Sequence, residues 1–402
     1  MPKTELILRT LTPLWTGGID TNEADRLHET GIIGSLRWWY EAILRGCGAK
    51  VCDPTTQSCT GCLACQAYGM TGQRRSWKFT INRKNYRAWT PTDTANGKPD
   101  TVHIPSGRIH GTRSGGWHFG NGFTGDLNFA ALPLFANAPS HIWELPLYLA
   151  AIWGGLGPKT QHGFGVIDIC DIAGKWISPN VEALVSKLPS GNSDLPSDNE
   201  DESPLPDLRN FFFAKLEFEA SGDWWKQAKH IDLALARQVS ENGQTVRLDD
   251  VSAQLQSLAE YSCVLTAPAF RNWLRFDGVM EIANGMKMPR GKPKSENAAA
   301  IELFGQVDGN KRRRSRLHVS SAYEIDDDLW EIRIWGWVPK SSNYKRDAVL
   351  CSLYDLLDDP ANWSGLLGTT ISNTSLAQWK QFDSSKYTME SYLKSLLGGA
   401  SS

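Results

Sequence analysis

The chain has 402 residues, of which 41% are hydrophobic and 21% charged, with 42 basic against 44 acidic side chains. That length is enough to bury two cores, and the near-neutral balance excludes a global field that would draw the whole surface onto nucleic acid, so a polyanion site has to come from local clusters. No run of about 18 apolar residues exists to cross a bilayer, and Met1-Pro2-Lys3-Thr4-Glu5 carries no apolar leader core, so a cytoplasmic protein without membrane contact is expected.

Taken in order, residues 4–11 alternate as a strand, 13–20 read as a loop, and 31–45 as a helix with Leu36, Trp39, Tyr40, Ile43 and Leu44 at helical spacing. An irregular cysteine-bearing stretch leads to a strand over 76–82. Residues 84–130 are rich in Gly, Arg, His and Thr and read as a long insertion or protruding hairpin. A strand over 141–149, a short helix over 147–153, a glycine-rich loop over 154–165 and a strand over 166–172 follow. Pro189, Pro196, Pro204 and Pro206 among Ser, Asn, Asp and Glu mark 188–207 as a linker. The second part restarts with a strand at 211–219 and a helical patch at 223–238. After an apolar, aromatic stretch (262–282) and a basic loop (284–295) comes a short helix (296–304). Strands over 316–321 and 330–338 meet at 324–328, a helix covers 347–357, and a Ser- and Gly-rich tail closes the chain. The order predicts an α+β protein with two tandem ferredoxin-like βαββαβ domains, 1–187 and 208–402, carrying long loop insertions.

The eight cysteines are unevenly placed: Cys47, Cys52, Cys59, Cys62 and Cys65 lie together, while Cys170, Cys263 and Cys351 are isolated. Cys-x2-Cys spacing lets two sulfurs face one ion, so Cys52, Cys59, Cys62 and Cys65 form a closed four-thiolate set suited to structural zinc. Cys47 competes with Cys52 for the fourth place, and the compact run also resembles iron–sulfur ligation. After the cysteines, Tyr68-Gly69 leads to Arg74, Arg75 and Ser76. The same order recurs as Phe304-Gly305 leading to Arg312, Arg313, Arg314, Ser315 and Arg316. Two basic turns at matching places argue against chance. With Arg108, Arg113 and Trp117 of the insertion, and with Lys159 and His162 in a glycine-rich loop whose backbone can approach phosphates, they point to a single-stranded RNA groove. No nucleophile triad, His-Glu-x-x-His or carboxylate pair is present. Asp20, in the loop after the first strand, is the one carboxylate placed for chemistry.

Thr12-Pro13-Leu14-Trp15-Thr16-Gly17-Gly18, the segment Gly31-Ile32-Ile33-Gly34-Ser35-Leu36-Arg37-Trp38-Trp39-Tyr40-Glu41-Ala42, the Tyr68-Gly69 turn and the loop 154–165 resemble the RAMP superfamily of CRISPR-associated proteins. The resemblance is nearest to the first RAMP subunit of type III-B (Cmr) RNA-targeting effectors. It implies a non-catalytic subunit that contacts the crRNA 3′ region or target RNA and packs against other RAMP subunits in antiviral defence, with Arg37 joining the RNA-facing basic residues. The cysteine knuckle departs from the commonest form of that subunit and is more like zinc-bearing loops of other type III RAMP proteins. Two alternatives remain. In one, Gly18-Ile19-Asp20 resembles the cleavage loop of backbone RAMP subunits, and Asp20 cuts target RNA. In the other, the chain is a zinc-stabilised assembly module without RNA contact.

Overall fold

The computed structural model describes residues 3–17, 26–53, 59, 61–82, 86–91, 101–110, 113–189, 205–236, 240–241, 244–245, 248–278, 298–308 and 311–398. Its first part runs β1 (Thr4–Thr10), α1 (Glu29–Gly46), α2 (Leu63–Tyr68), β2 (Trp77–Asn82), β3 (Tyr86–Trp89), β4 (Val102–His110), β5 (Arg113–Phe119), β6 (Gly122–Pro133), α3 (His141–Trp153), β7 (Ile167–Cys170) and α4 (Val181–Val185). Its second part runs β8 (Phe211–Glu219), α5 (Ile231–Ala236), β9 (Ser240–Glu241), β10 (Gln244–Thr245), α6 (Leu248–Ala259), β11 (Cys263–Val264), α7 (Ala267–Phe276), α8 (Ala298–Phe304), β12 (Gln306–Asp308), β13 (Lys311–Arg313), β14 (Leu317–Val319), β15 (Ala322–Asp326), β16 (Leu329–Trp337), α9 (Arg346–Asp358), β17 (Ser372–Gln381) and α10 (Met389–Leu397).

The first sheet has the order β2-β6-β1-β7 and the second β11-β15-β16-β8-β17, with antiparallel pairing throughout. In each, the first strand of the unit lies between the third and the fourth, and the second flanks the third. This is the arrangement of a βαββαβ ferredoxin-like unit, met twice. Side-chain alternation sets the faces: Trp77, Phe79 and Ile81 of β2 are buried while Lys78, Thr80 and Asn82 are exposed.

Helices α1 and α3 lie between the two sheets. Trp143 near the start of α3 packs on Phe79 and Phe129 of the first sheet. Trp153 at its end packs on Phe213 of the second. Trp38 and Trp39 of α1 both meet Phe211, and Trp38 also meets Trp337. Phe212, between them on β8, points to the opposite face and stacks on Trp379. The apolar interior is one continuous cluster running through both parts. Helix α10 returns to the first part, where the Trp153 indole N–H donates to the Leu396 carbonyl at 2.8 Å.

Three expectations are corrected. Residues 141–153 form a single helix, with no strand in it. Ile142 to Trp153 are buried almost without break, so no one-sided period exists to reveal the helix, and Pro146 lies inside it. The carbonyl that Pro146 cannot serve, that of Ile142, accepts the Tyr68 hydroxyl at 2.7 Å. The insertion folds back on the second part and does not protrude: the Trp89 indole donates to Ser257 Oγ at 3.2 Å, and Asn272 Nδ2 to the Ser106 carbonyl at 3.2 Å. Trp117 stacks beside His230 with ring centroids 6.4 Å apart. The tail supplies β17, the fourth strand of the second unit, and α10. Asp20, most of the linker stretch and the basic loop 284–295 lie outside the described residues. No described helix is long and apolar enough to cross a membrane.

Candidate metal centre and nucleic-acid groove

The cysteine stretch follows α1 and ends in α2. The sulfurs of Cys52, Cys59, Cys62 and Cys65 all lie within 4.8 Å of one another. Cys52 Sγ is 3.6 Å from both Cys62 Sγ and Cys65 Sγ. Four thiolates about 2.3 Å from one tetrahedral ion stand roughly 3.8 Å apart, so the spacing fits a metal with a closed first sphere. The backbone N–H groups of Gly61 and Cys62 donate to Cys59 Sγ at 3.3 and 3.2 Å. These donors favour the thiolate and pull the Cys59 thiol down to about 6. Cys47 is not in the set. It is buried, and burial pushes its thiol up to about 12. By proximity, Cys52 and not Cys47 groups with the other three sulfurs.

Arg37, expected on RNA, is engaged inside the protein. Its Nε donates to Glu41 at 2.8 Å, Nη1 to the Gly69 carbonyl at 3.2 Å and Nη2 to Cys65 Sγ at 3.1 Å. It touches both the metal set and the turn beyond.

The two basic turns are built alike. Gly69 and Gly305 have φ of +88° and +73°, where a side chain is strained. Ser76 N–H returns to the Ala67 carbonyl at 3.0 Å, as Arg316 N–H returns to that of Leu303 at 2.8 Å. The basic side chains diverge. Arg74, Arg313 and Arg314 are exposed and Arg75 is half-buried. Arg316 pairs with Glu302 at 3.1 Å and contacts the Tyr344 hydroxyl at 3.3 Å. The side chains of Arg108, Arg113 and Arg312 lie outside the described set.

A groove of about 470 Å³ runs where the parts meet. Gly34, Ser35 and Trp38 from the start of α1, Gly157 and Pro158 from the glycine-rich loop, and Arg314 from the second turn all line it. A Cβ at Gly34 would meet nothing within 4 Å, so the backbone there is open to close approach. Ser35 Oγ pins the wall by accepting the Gly157 N–H at 2.8 Å and donating to the Gly31 carbonyl at 3.1 Å. Gly157, Gly163 and Gly165 all take φ near +90°. A Cβ on Gly163 would stand 2.6 Å from Ser321 and Ala267, which is why the loop can seat so closely on the second part. Gln161 Nε2 donates to the Ser315 carbonyl at 3.4 Å, and Thr160 Oγ1 lies 3.1 Å from His318 Nδ1.

Lys159 and His162 flank this wall without lining the groove. Lys159 Nζ sits 4.3 Å over the Trp15 ring, and burial lowers its ammonium to about 8. Burial, with Arg271 and Lys159 nearby, holds His162 neutral at about 4. Arg74 and Arg75 do not line the groove either. Sequence reading missed the polar face of α7. Arg271 reaches the Gln161 carbonyl at 3.1 Å and the Phe304 carbonyl at 2.7 Å, and Arg275 reaches the Gly305 carbonyl at 3.0 Å. Arg271 is half-buried, and burial together with the second cation, Arg275, pulls its guanidinium down to about 10. The signal was the i, i+4 arginine pair in an aromatic helix.

Residues 7–168 match the RAMP superfamily. No curated protein matches the chain. Among solved structures, the crystal structure of Cmr1 from Pyrococcus furiosus in its apo form is similar over 85% of this chain and 89% of that one, at 14% identity and a TM-score of 0.38.

Proposed function

We propose, with the RAMP-superfamily match of residues 7–168 as premise, that this chain is a non-catalytic RNA-binding subunit of a type III-B CRISPR effector complex. It contacts the crRNA 3′ region or target single-stranded RNA and packs on other RAMP subunits in antiviral defence. Its units are an N-terminal RAMP domain over 1–187, a linker over 188–207 and a second RAMP domain over 208–402. The carrying observation is the convergence on one groove of an open glycine–serine helix start, a glycine-rich loop and Arg314, with Arg271 donating to the carbonyl of groove-lining Gln161 at 3.1 Å. Such a site favours phosphodiester backbone, and Trp38 at its side offers a ring for a base.

The four cysteines hold a structural zinc, with Cys52, Cys59, Cys62 and Cys65 as ligands. A closed first sphere leaves the ion no open position, so it shapes the loop before Gly69 and takes no part in chemistry. Metal analysis of the purified chain should find about one zinc per chain. An absent metal or an iron chromophore overturns that assignment.

Reversing charge in Arg313→Glu/Arg314→Glu should weaken single-stranded RNA binding at least tenfold and reduce the slope of log affinity against log salt by about two, since each phosphate contact contributes roughly one unit. Fluorescence anisotropy across a salt series measures this, and an unchanged slope removes the groove from RNA binding. In the assembled complex, Asp20→Ala should leave target cleavage intact. Loss of a cleavage product would make the chain a nuclease.

A further inference from the structure

We propose that Arg37 is a positioning residue of the cysteine centre, and that the stripe Arg37, Glu41, Arg45 ties occupancy of that centre to the place where the second part enters at Pro206. The inference rests on the reading of the four cysteines as a metal set.

Residues four apart on a helix share one face, and α1 sets these three in a row. Glu41 is 6% exposed, and each of its carboxylate oxygens faces one arginine: Oε1 accepts from Arg37 Nε at 2.8 Å, and Oε2 lies 3.5 Å from Arg45 Nη2. Held that way, Arg37 presents its two terminal nitrogens outward, one to Cys65 Sγ at 3.1 Å and one to the Gly69 carbonyl at 3.2 Å. Arg45 does the same one turn on. It reaches the carbonyl of Cys52 at 3.3 Å and that of Pro206 at 3.0 Å. Two of the four ligand residues, one by its sulfur and one by its backbone, therefore rest on a single carboxylate.

The chemistry explains the choice of a guanidinium. Four thiolates around a divalent ion carry a net charge of −2, and an N–H on one sulfur offsets part of it and favours thiolate over thiol. Donors of this kind outside the ligand sphere typically change metal affinity ten- to a hundredfold. Pro206 leads directly into Asp207 and Arg209, which pair at 2.6 Å, and then into β8. Phe211 of that strand packs on Trp38, the neighbour of Arg37 in sequence and part of the groove wall. Removing the ion frees Cys65, takes a partner from Arg37, and loosens both the Gly69 turn and the hold on Pro206.

The test uses the full chain loaded with cobalt(II), whose thiolate charge-transfer and tetrahedral bands report the first sphere. Arg37→Gln should shift the charge-transfer band and release metal to a chelator about 10–100-fold faster. Arg37→Lys, which keeps the charge, should recover part of that retention. Arg45→Gln, which loses a contact to the backbone of Cys52 and none to a sulfur, should move the bands less than Arg37→Gln while raising amide exchange across residues 205–210. Stripping the wild type should raise exchange across 69–73 and 205–210 and leave the strands of both sheets protected. The proposal is overturned if Arg37→Gln retains cobalt as long as wild type with the same bands, or if stripping leaves 205–210 unchanged. A wild type that takes up no cobalt overturns the metal reading as well, whatever the RNA measurements show.

Discussion

Lys159 is where one residue's surroundings set a measurable pH response. Its ammonium, half-buried over Trp15, falls from 10.5 to about 8. A base with a depressed folded pKa is protonated more readily in the unfolded chain, so it costs stability below about 8, and that cost is relieved as pH rises toward 10.5. If the groove binds RNA as proposed, affinity should move the other way, because Lys159 beside the wall loses its positive charge as pH passes 8. Anisotropy titrations at fixed ionic strength should show affinity falling between pH 7 and 9, and Lys159→Arg, whose charge persists, should flatten the fall. The buried histidines act in the acid range. Burial first, and nearby cations second, lower His162 and His230 to about 4 and His318 to about 3. Their contribution is complete above 6.5 and is lost as pH falls toward 4, at up to about 1.4 kcal/mol per histidine per pH unit. Urea midpoints at pH 7, 6 and 5 should drop accordingly. An invariant midpoint would mean these rings reach water.

At the scale of elements, the two glycine turns, one after α2 and one after α8, are the informative ones. A Cβ at Gly305 would stand 2.4 Å from the Arg313 carbonyl and 2.8 Å from Ser315 N, at a φ that disfavours any side chain. Gly305→Ala should cost roughly 2 kcal/mol or more and lower RNA affinity while leaving metal content unchanged. Calorimetry, anisotropy and metal analysis separate the three. Tyr68→Phe should cost about 1–3 kcal/mol by orphaning the Ile142 carbonyl inside α3. Both glycine turns were legible in the sequence, because a glycine at positive φ followed by arginines leaves a local signature. The all-round burial of α3 erased its helical period, and β17 (Ser-Asn-Thr-Ser-Leu-Ala-Gln-Trp-Lys-Gln) is too polar to announce an edge strand. The groove was half legible. Its glycines and Arg314 stood out, but its meeting with Trp38, and the bond from Arg271 to groove-lining Gln161, join segments that no spacing rule connects.

For the molecule as a whole, the decisive fact is the layer of α1 and α3 held between two sheets. Glu331, enclosed on β16, accepts from Arg333 at 2.9 Å and Lys215 at 3.2 Å, and Arg333 also reaches the Ala151 carbonyl near the end of α3. Burial alone would raise the Glu331 carboxyl, yet Lys215 and Arg333 hold it below its ordinary value. Glu331→Gln leaves two buried cations facing each other and should cost roughly 3–5 kcal/mol. Because one core runs through both sheets, fluorescence and far-UV dichroism should lose structure in one shared transition, where independent parts would give two. The paired turns have a further consequence. Of the two described turns, only the second lines the groove with an arginine, Arg314, and only the first follows a cysteine set. One backbone device thus stands in two different chemical settings, so a substitution at one turn can be read out without disturbing the surroundings of the other.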